Sequence, residues 1–99
     1  MVKQIVVPAR KDVLFGRGSV LQSHVGNFRM SNLIEENLER YFSSQRNGKI
    51  PLVKSIMATI RMEGGRFLRQ TKAGWWEEVC DEVACDKIGH GFRNRKQIK

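Results

Sequence analysis

Cysteine and long apolar runs are scarce in this 99-residue chain, acidic residues are outnumbered by basic ones, and each shortage narrows the class of protein. Two cysteines, Cys80 and Cys85, are too few for the disulfide framework of a small secreted scaffold. Five residues apart, they would lie about 140° from each other on a helix, so reduced thiols facing different ways are expected. Cys80, Cys85, His24 and His90 share no spacing with a common zinc module, and no metal site or cofactor is expected. No apolar run approaches the length of a membrane span. The first ten residues lack the long apolar core and small-residue cleavage site of a signal peptide. The expected location is the nucleus, with the cytoplasm as the alternative.

Catalytic signatures are missing as well. Gly16-Arg17-Gly18 has neither the spacing nor the Lys-Ser/Thr ending of a nucleotide-binding loop. Ser19 and Ser23 neighbour His24 in sequence without the matched partners of a nucleophile. No pair of carboxylates marks a pocket, so the sequence reads as a binding domain and not an enzyme.

What is present is positive charge. Eighteen Lys and Arg against ten Asp and Glu leave a formal net charge of +8. On so small a surface this creates an attractive field for polyanions: nucleic acid, an anionic membrane or an acidic protein. A hydrophobic fraction of 40% is ordinary for a globular domain, and the length fits one domain, 1–99, with an ordered core from about 12 to 93.

Periodicity organises that core. Ile5, Val6 and Val7 form a β-prone run ended by Pro8, and residues 12–15 read as a second short strand before the glycine-flanked Arg17. An irregular loop follows, with Asn27 as the expected cap of a first helix over about 28–43. Its apolar stripe is Met30, Leu33, Ile34, Leu38, Tyr41 and Phe42. Residues 43–48 read as a polar break. Pro51 suits the first turn of a second helix carrying Val53, Ile56, Met57 and Ile60, which Gly64-Gly65 stops. The runs 66–70 and 75–79, joined by Thr71-Lys72-Ala73-Gly74, predict a β-hairpin. A third helix is expected over 81–93, capped by Asp81, before a basic tail. The fold class is therefore α+β: three helices, a hairpin between the second and third, and a short N-terminal strand. A winged-helix-like arrangement is one way to assemble these parts, though their order differs from the usual one.

Several separated motifs carry a family resemblance. Asp12-Val13-Leu14-Phe15-Gly16-Arg17-Gly18, His24 with Gly26-Asn27, Gly64-Gly65-Arg66-Phe67-Leu68, Trp76 with Glu78-Val79, and Ala84 with Lys87 together resemble the DUF6824-type domain of diatoms and related stramenopile algae. The likeness runs from about residue 12 to 93. Val25 stands where that family usually has proline, and Met30-Ser31 where Phe-Arg is expected, which removes a basic residue from the first helix. The resemblance implies one intact domain and nuclear, regulatory-type proteins; it brings no settled activity.

The expected activity is DNA binding in transcriptional or chromatin regulation. Arg17 between glycines can grip a phosphate with two donors. Arg66, Arg69 and Lys72 on the hairpin, and Arg93, Arg95 and Lys96 at the C-terminal end, would add backbone contacts. Lys54 and Arg61, seven apart, share a face of the second helix and are its candidates to face a groove. Trp75 and Trp76 point to opposite faces of a strand; the family resemblance implies that Trp76 is the structural one, which leaves Trp75 as the candidate aromatic contact. The alternative is a protein-interaction module using Trp75 and the loop from Gly16 to Asn27.

Overall fold

Three apolar stripes at helical spacing and one β-prone hairpin supply the surfaces this chain has to bury. The computed structural model describes residues 6–16, 21 and 23–95. In chain order these form β1 (Val13–Leu14), α1 (Val25–Glu36), α2 (Leu38–Ser43), α3 (Arg46–Met62), β2 (Phe67–Gln70), β3 (Trp76–Glu78) and α4 (Asp81–Asn94). The architecture is α+β, with four helices among the described residues and a three-stranded sheet in the order β1-β2-β3.

β1 runs parallel to β2, with Val13 opposite Phe67 and Leu14 opposite Leu68. The expected hairpin is formed by β2 and β3, antiparallel, with Arg69 opposite Glu77 and Gln70 opposite Trp76. Its turn closes through the Thr71 N–H donating to the Trp75 carbonyl at 2.7 Å. Val6 makes a single bridge to Trp76 on the far side of β3.

The helices bury the faces that periodicity marks. Met30, Leu33 and Ile34 of α1, Val53, Ile56 and Ile60 of α3, and Ala84, Ile88 and Phe92 of α4 meet Val13 and Phe67 in one core. Phe92 is fully buried and stacks on Tyr41 of α2, ring centroids 4.1 Å apart and nearly coplanar. α3 and α4 lie side by side and antiparallel: Arg61 pairs with Asp81 at one end, and Met57 Sδ lies 3.8 Å from Cys85 Sγ further along.

Two residues dock α1 on the strand that precedes it. Gly26 stands where a Cβ would come within 1.9 Å of the Asp12 carbonyl oxygen, so only glycine permits the approach. The Asn27 side chain acts as a peptide unit. Its Oδ1 accepts the Leu14 N–H at 2.7 Å, and its Nδ2 donates to the Leu14 carbonyl at 2.8 Å. Asn27 is therefore not the helix cap. The helix begins two residues earlier, after His24, whose ring Nε2 is 2.9 Å from the Ala9 carbonyl oxygen.

The single first helix expected over 28–43 is two helices. The Asn37 side chain donates back to the Leu33 carbonyl at 2.7 Å, and its backbone (φ −110°, ψ 8°) leaves the helical path. The second expected helix begins earlier, at Arg46, so Pro51 sits inside α3 rather than in its first turn. Pro51 has no N–H for the Asn47 carbonyl, but both residues are exposed and water can take its place. The chain leaves α3 through Gly64 at φ +95°, a conformation that favours glycine. Asp81 is the first residue of α4 and not its cap; Cys80 holds that position without a side-chain hydrogen bond, while the Asp81 carboxylate turns to Arg61. The expected basic tail begins later than position 94. Asn94 closes α4, and Arg95 is held by Glu35, Ser31 and the Gly91 carbonyl.

Candidate nucleic-acid interface

With fewer carboxylates than cations, pairing decides where the positive surplus reaches solvent. Five arginines are paired among the described residues: Arg29 with Glu63, Arg61 with Asp81, Arg66 with Asp12, Arg69 with Glu77 and Arg95 with Glu35. The Arg66–Asp12 pair is the most enclosed. Asp12 is 1% exposed and accepts from Arg66 Nη2 at 2.7 Å, Arg66 Nε at 3.2 Å, and the backbone N–H groups of Ala9 and Arg66. Burial alone would push this carboxyl up. Its hydrogen bonds from Arg66 and the two backbone N–H groups outweigh that and hold it below the usual carboxylate range. Arg61, Arg66, Arg69 and Arg95, all expected to face nucleic acid, are thus each paired with a carboxylate of the chain itself.

Four of the unpaired cations collect in one place. A cleft of ≈ 260 Å³ opens between the first half of α3 and the second half of α4. Arg46, Lys49, Lys54 and Arg93 line it against one carboxylate, Asp86, and none of the four is in an ion pair among the described residues. Helical geometry explains the cluster. Positions 46, 49, 50, 53 and 54 recur at three- and four-residue intervals on α3, as do 85, 86, 89 and 93 on α4. Tyr41, Val53 and Cys85 give the cleft an apolar floor, and Ile50 stands half-exposed beside it. Two of the cations lie against neighbouring groups of the chain. Lys49 Nζ sits 5.0 Å from the Tyr41 ring centroid, a cation–π contact. Arg93 lies across the backbone at Gly89, where an added Cβ would meet its Nη1 at 3.2 Å. Burial pushes the Cys85 thiol up, so it remains a neutral part of the floor.

A second polar cleft, ≈ 480 Å³, lies on the other flank of α4 between α1 and the end of β1. Lys87, His90 and Asn94 face it, together with Ser31 and the tethered Arg95. Lys87 is half-buried, 4.6 Å from the Phe15 ring centroid, and in no ion pair among the described residues. Its burial lowers its pKa.

Of the residues expected from sequence, the α3–α4 cleft brings Lys54 and Arg93 together. Lys72 and Trp75 sit at the hairpin end, with Trp75 half-exposed and Trp76 more covered. Arg17 and Lys96 lie outside the described residues. Arg46 and Lys49 were missed, because Gly48 and Pro51 made residues 43–51 read as a break and a helix start; Tyr41 was read only as part of the first helix's apolar stripe. The signal was present: Arg46, Lys49, Ile50 and Val53 already keep helical intervals through Gly48.

The family model described as "Domain of unknown function (DUF6824)" matches residues 12–94. The chain belongs to the DUF6824 family. The matched span runs from the buried Asp12 carboxylate to the last residue of α4, so it contains the α3–α4 cleft and four of the five ion pairs; Arg95, which lines the second cleft and pairs with Glu35, lies one residue past it. No curated protein and no solved structure matches the chain. No helix among the described residues is long and apolar enough to cross a membrane.

Proposed function

We propose that this DUF6824 domain is a nucleic-acid-binding module, directed first at duplex DNA, that acts in transcriptional or chromatin regulation in the nucleus and is not a catalyst. The observation that carries the proposal is the α3–α4 cleft, where Arg46, Lys49, Lys54 and Arg93 are left unpaired while other arginines are tied to carboxylates. An arginine fork matches phosphate with two donors, and lysine adds a compact charge. The nine residues from Arg46 to Lys54 rise about 12 Å along the helix. That length spans about three phosphates of one strand, at roughly 3.4 Å of axis each.

Three neutralised phosphates predict a slope of log affinity on log salt near −2.7, or about a 40-fold loss between about 50 and 200 mM salt. Anisotropy of a labelled random-sequence duplex measures this directly. Lys49→Ala and Lys54→Ala should each reduce the slope by about 1, whereas Arg69→Gln, which breaks only an internal pair, should leave it unchanged. Absence of binding at low salt, or binding indifferent to salt, would defeat the proposal.

Half-exposed Trp75 favours a second reading, a protein-interaction module that uses Trp75 as an anchor together with the loop from Gly16 to Asn27, part of which lies outside the described residues. Under that reading Trp75→Ala abolishes capture of a defined protein at moderate salt, and the cleft lysines do not matter.

A further inference from the structure

We infer that α4 is the element that enters the major groove, and that His90, Arg93 and Asn94 meet base edges there. This rests on the nucleic-acid reading above and adds to it a source of sequence preference.

The geometry of α4 points this way. The helix buries Ala84, Ile88 and Phe92 on one side. At 100° per residue, positions 86, 90, 93 and 94 then fall on the opposite side. Asp86, His90, Arg93 and Asn94 are all exposed, and none of them makes a hydrogen bond or ion pair among the described residues. These four polar side chains share one exposed face of α4 and are free to meet a ligand there.

Their chemistry suits base edges. Arginine bridges guanine O6 and N7, asparagine bridges adenine N6 and N7, and a carboxylate accepts from cytosine N4. The flanks of α4 suit phosphates. On one side stand the α3 cations of the first cleft; on the other stands Lys87 in the second. Packed helices lie about 8–10 Å apart, so the α3 cations run about that far from the α4 axis. The major groove is about 12 Å wide and admits one helix, which brings a phosphate strand alongside each flank. Gly89 lowers the profile of the helix at this point and lets the Arg93 guanidinium lie flat across it. The first turn of α4 carries Asp81 and Glu82, which repel phosphate, so contact is confined to the helix beyond its first turn.

The test is selection from a random-sequence duplex library by the full 99-residue chain, followed by affinity measurements on the enriched and random duplexes. The inference expects a short enriched motif. Asn94→Ala should then flatten preference at one position by about 10-fold or more, while affinity for random duplex changes less than about two-fold. Arg93→Lys keeps the charge but loses the fork, so it should erase preference at another position and leave the salt slope intact. Salt-dependent binding with no enriched motif overturns the α4 assignment and leaves the backbone reading standing. A motif that survives both substitutions at full preference also overturns it. Failure of random duplex to bind at all removes both readings.

Discussion

Replacing Asp12 by asparagine should be among the most damaging near-isosteric changes available to this domain. The carboxylate is 1% exposed and accepts four hydrogen bonds, three of them from Arg66. Removing one partner of a buried ion pair costs about 3–5 kcal/mol. Here the loss should sit lower, at about 2–3 kcal/mol, because the Arg66 side chain is 36% exposed and can turn to water, and asparagine keeps one acceptor. A domain of this size has roughly 5–15 kcal/mol of total stability, so the change is large. At about 4–8 °C per kcal/mol it should lower Tm by about 8–24 °C. Urea unfolding followed by Trp75 and Trp76 fluorescence, with thermal melts beside it, provides the assay. The pH dependence adds a second check. The folded carboxyl lies below its unfolded value, so its stabilisation is complete above the unfolded pKa of about 3.9 and is lost as pH falls through the folded one. Asparagine takes up no proton there, so the gap between wild type and variant should narrow as pH drops below about 4. A variant within about 0.5 kcal/mol of wild type at neutral pH, or a gap that stays constant down to low pH, would refute the reasoning.

Other expectations follow from the same contacts. Gly26→Ala places a Cβ 1.9 Å from the Asp12 carbonyl oxygen and should cost about 3 kcal/mol or more, seen as loss of a cooperative thermal transition or a large fall in its midpoint. Phe92→Ala removes the fully buried partner of Tyr41 and should cost about 3–5 kcal/mol in urea unfolding. Gly89→Ala should instead raise stability by up to about 1 kcal/mol, because alanine favours the helix and only the flexible end of Arg93 has to move. A melt that drops by several degrees would show that the Arg93 position is rigidly held.

Local pattern and tertiary partnership were not equally legible in the sequence. The hairpin, the stop at Gly64 and the span of α4 follow from short-range signals, turn residues and apolar periodicity, and the structure has them. The break at Asn37 was hidden because Leu33, Ile34, Leu38, Tyr41 and Phe42 keep helical spacing straight through it; what bends the chain is a side-chain hydrogen bond back to Leu33. Asn27 was misplaced for a related reason: the amide that suits a cap also suits a backbone bridge, and only the position of Leu14 chooses between them. The candidate site was harder still. Arg66 finds Asp12, Arg95 finds Glu35 and Arg29 finds Glu63 across long stretches of chain. Which cations stay free therefore depends on the folded arrangement, and the sequence alone offered Arg61, Arg66, Arg69 and Arg95 on equal terms with Lys54 and Arg93.

The Asn27 bridge has a consequence beyond docking α1. A small sheet is most exposed to misassembly along its outermost strands, where unpaired N–H and C=O groups template a second chain. On β1 the outward-facing pair belongs to Leu14, and both groups are taken by one amide. At the opposite margin, Val6 covers β3 at Trp76. Removing the Asn27 amide would leave the Leu14 N–H and C=O without a partner at a margin that α1 still covers, at about 1–3 kcal/mol for each buried group.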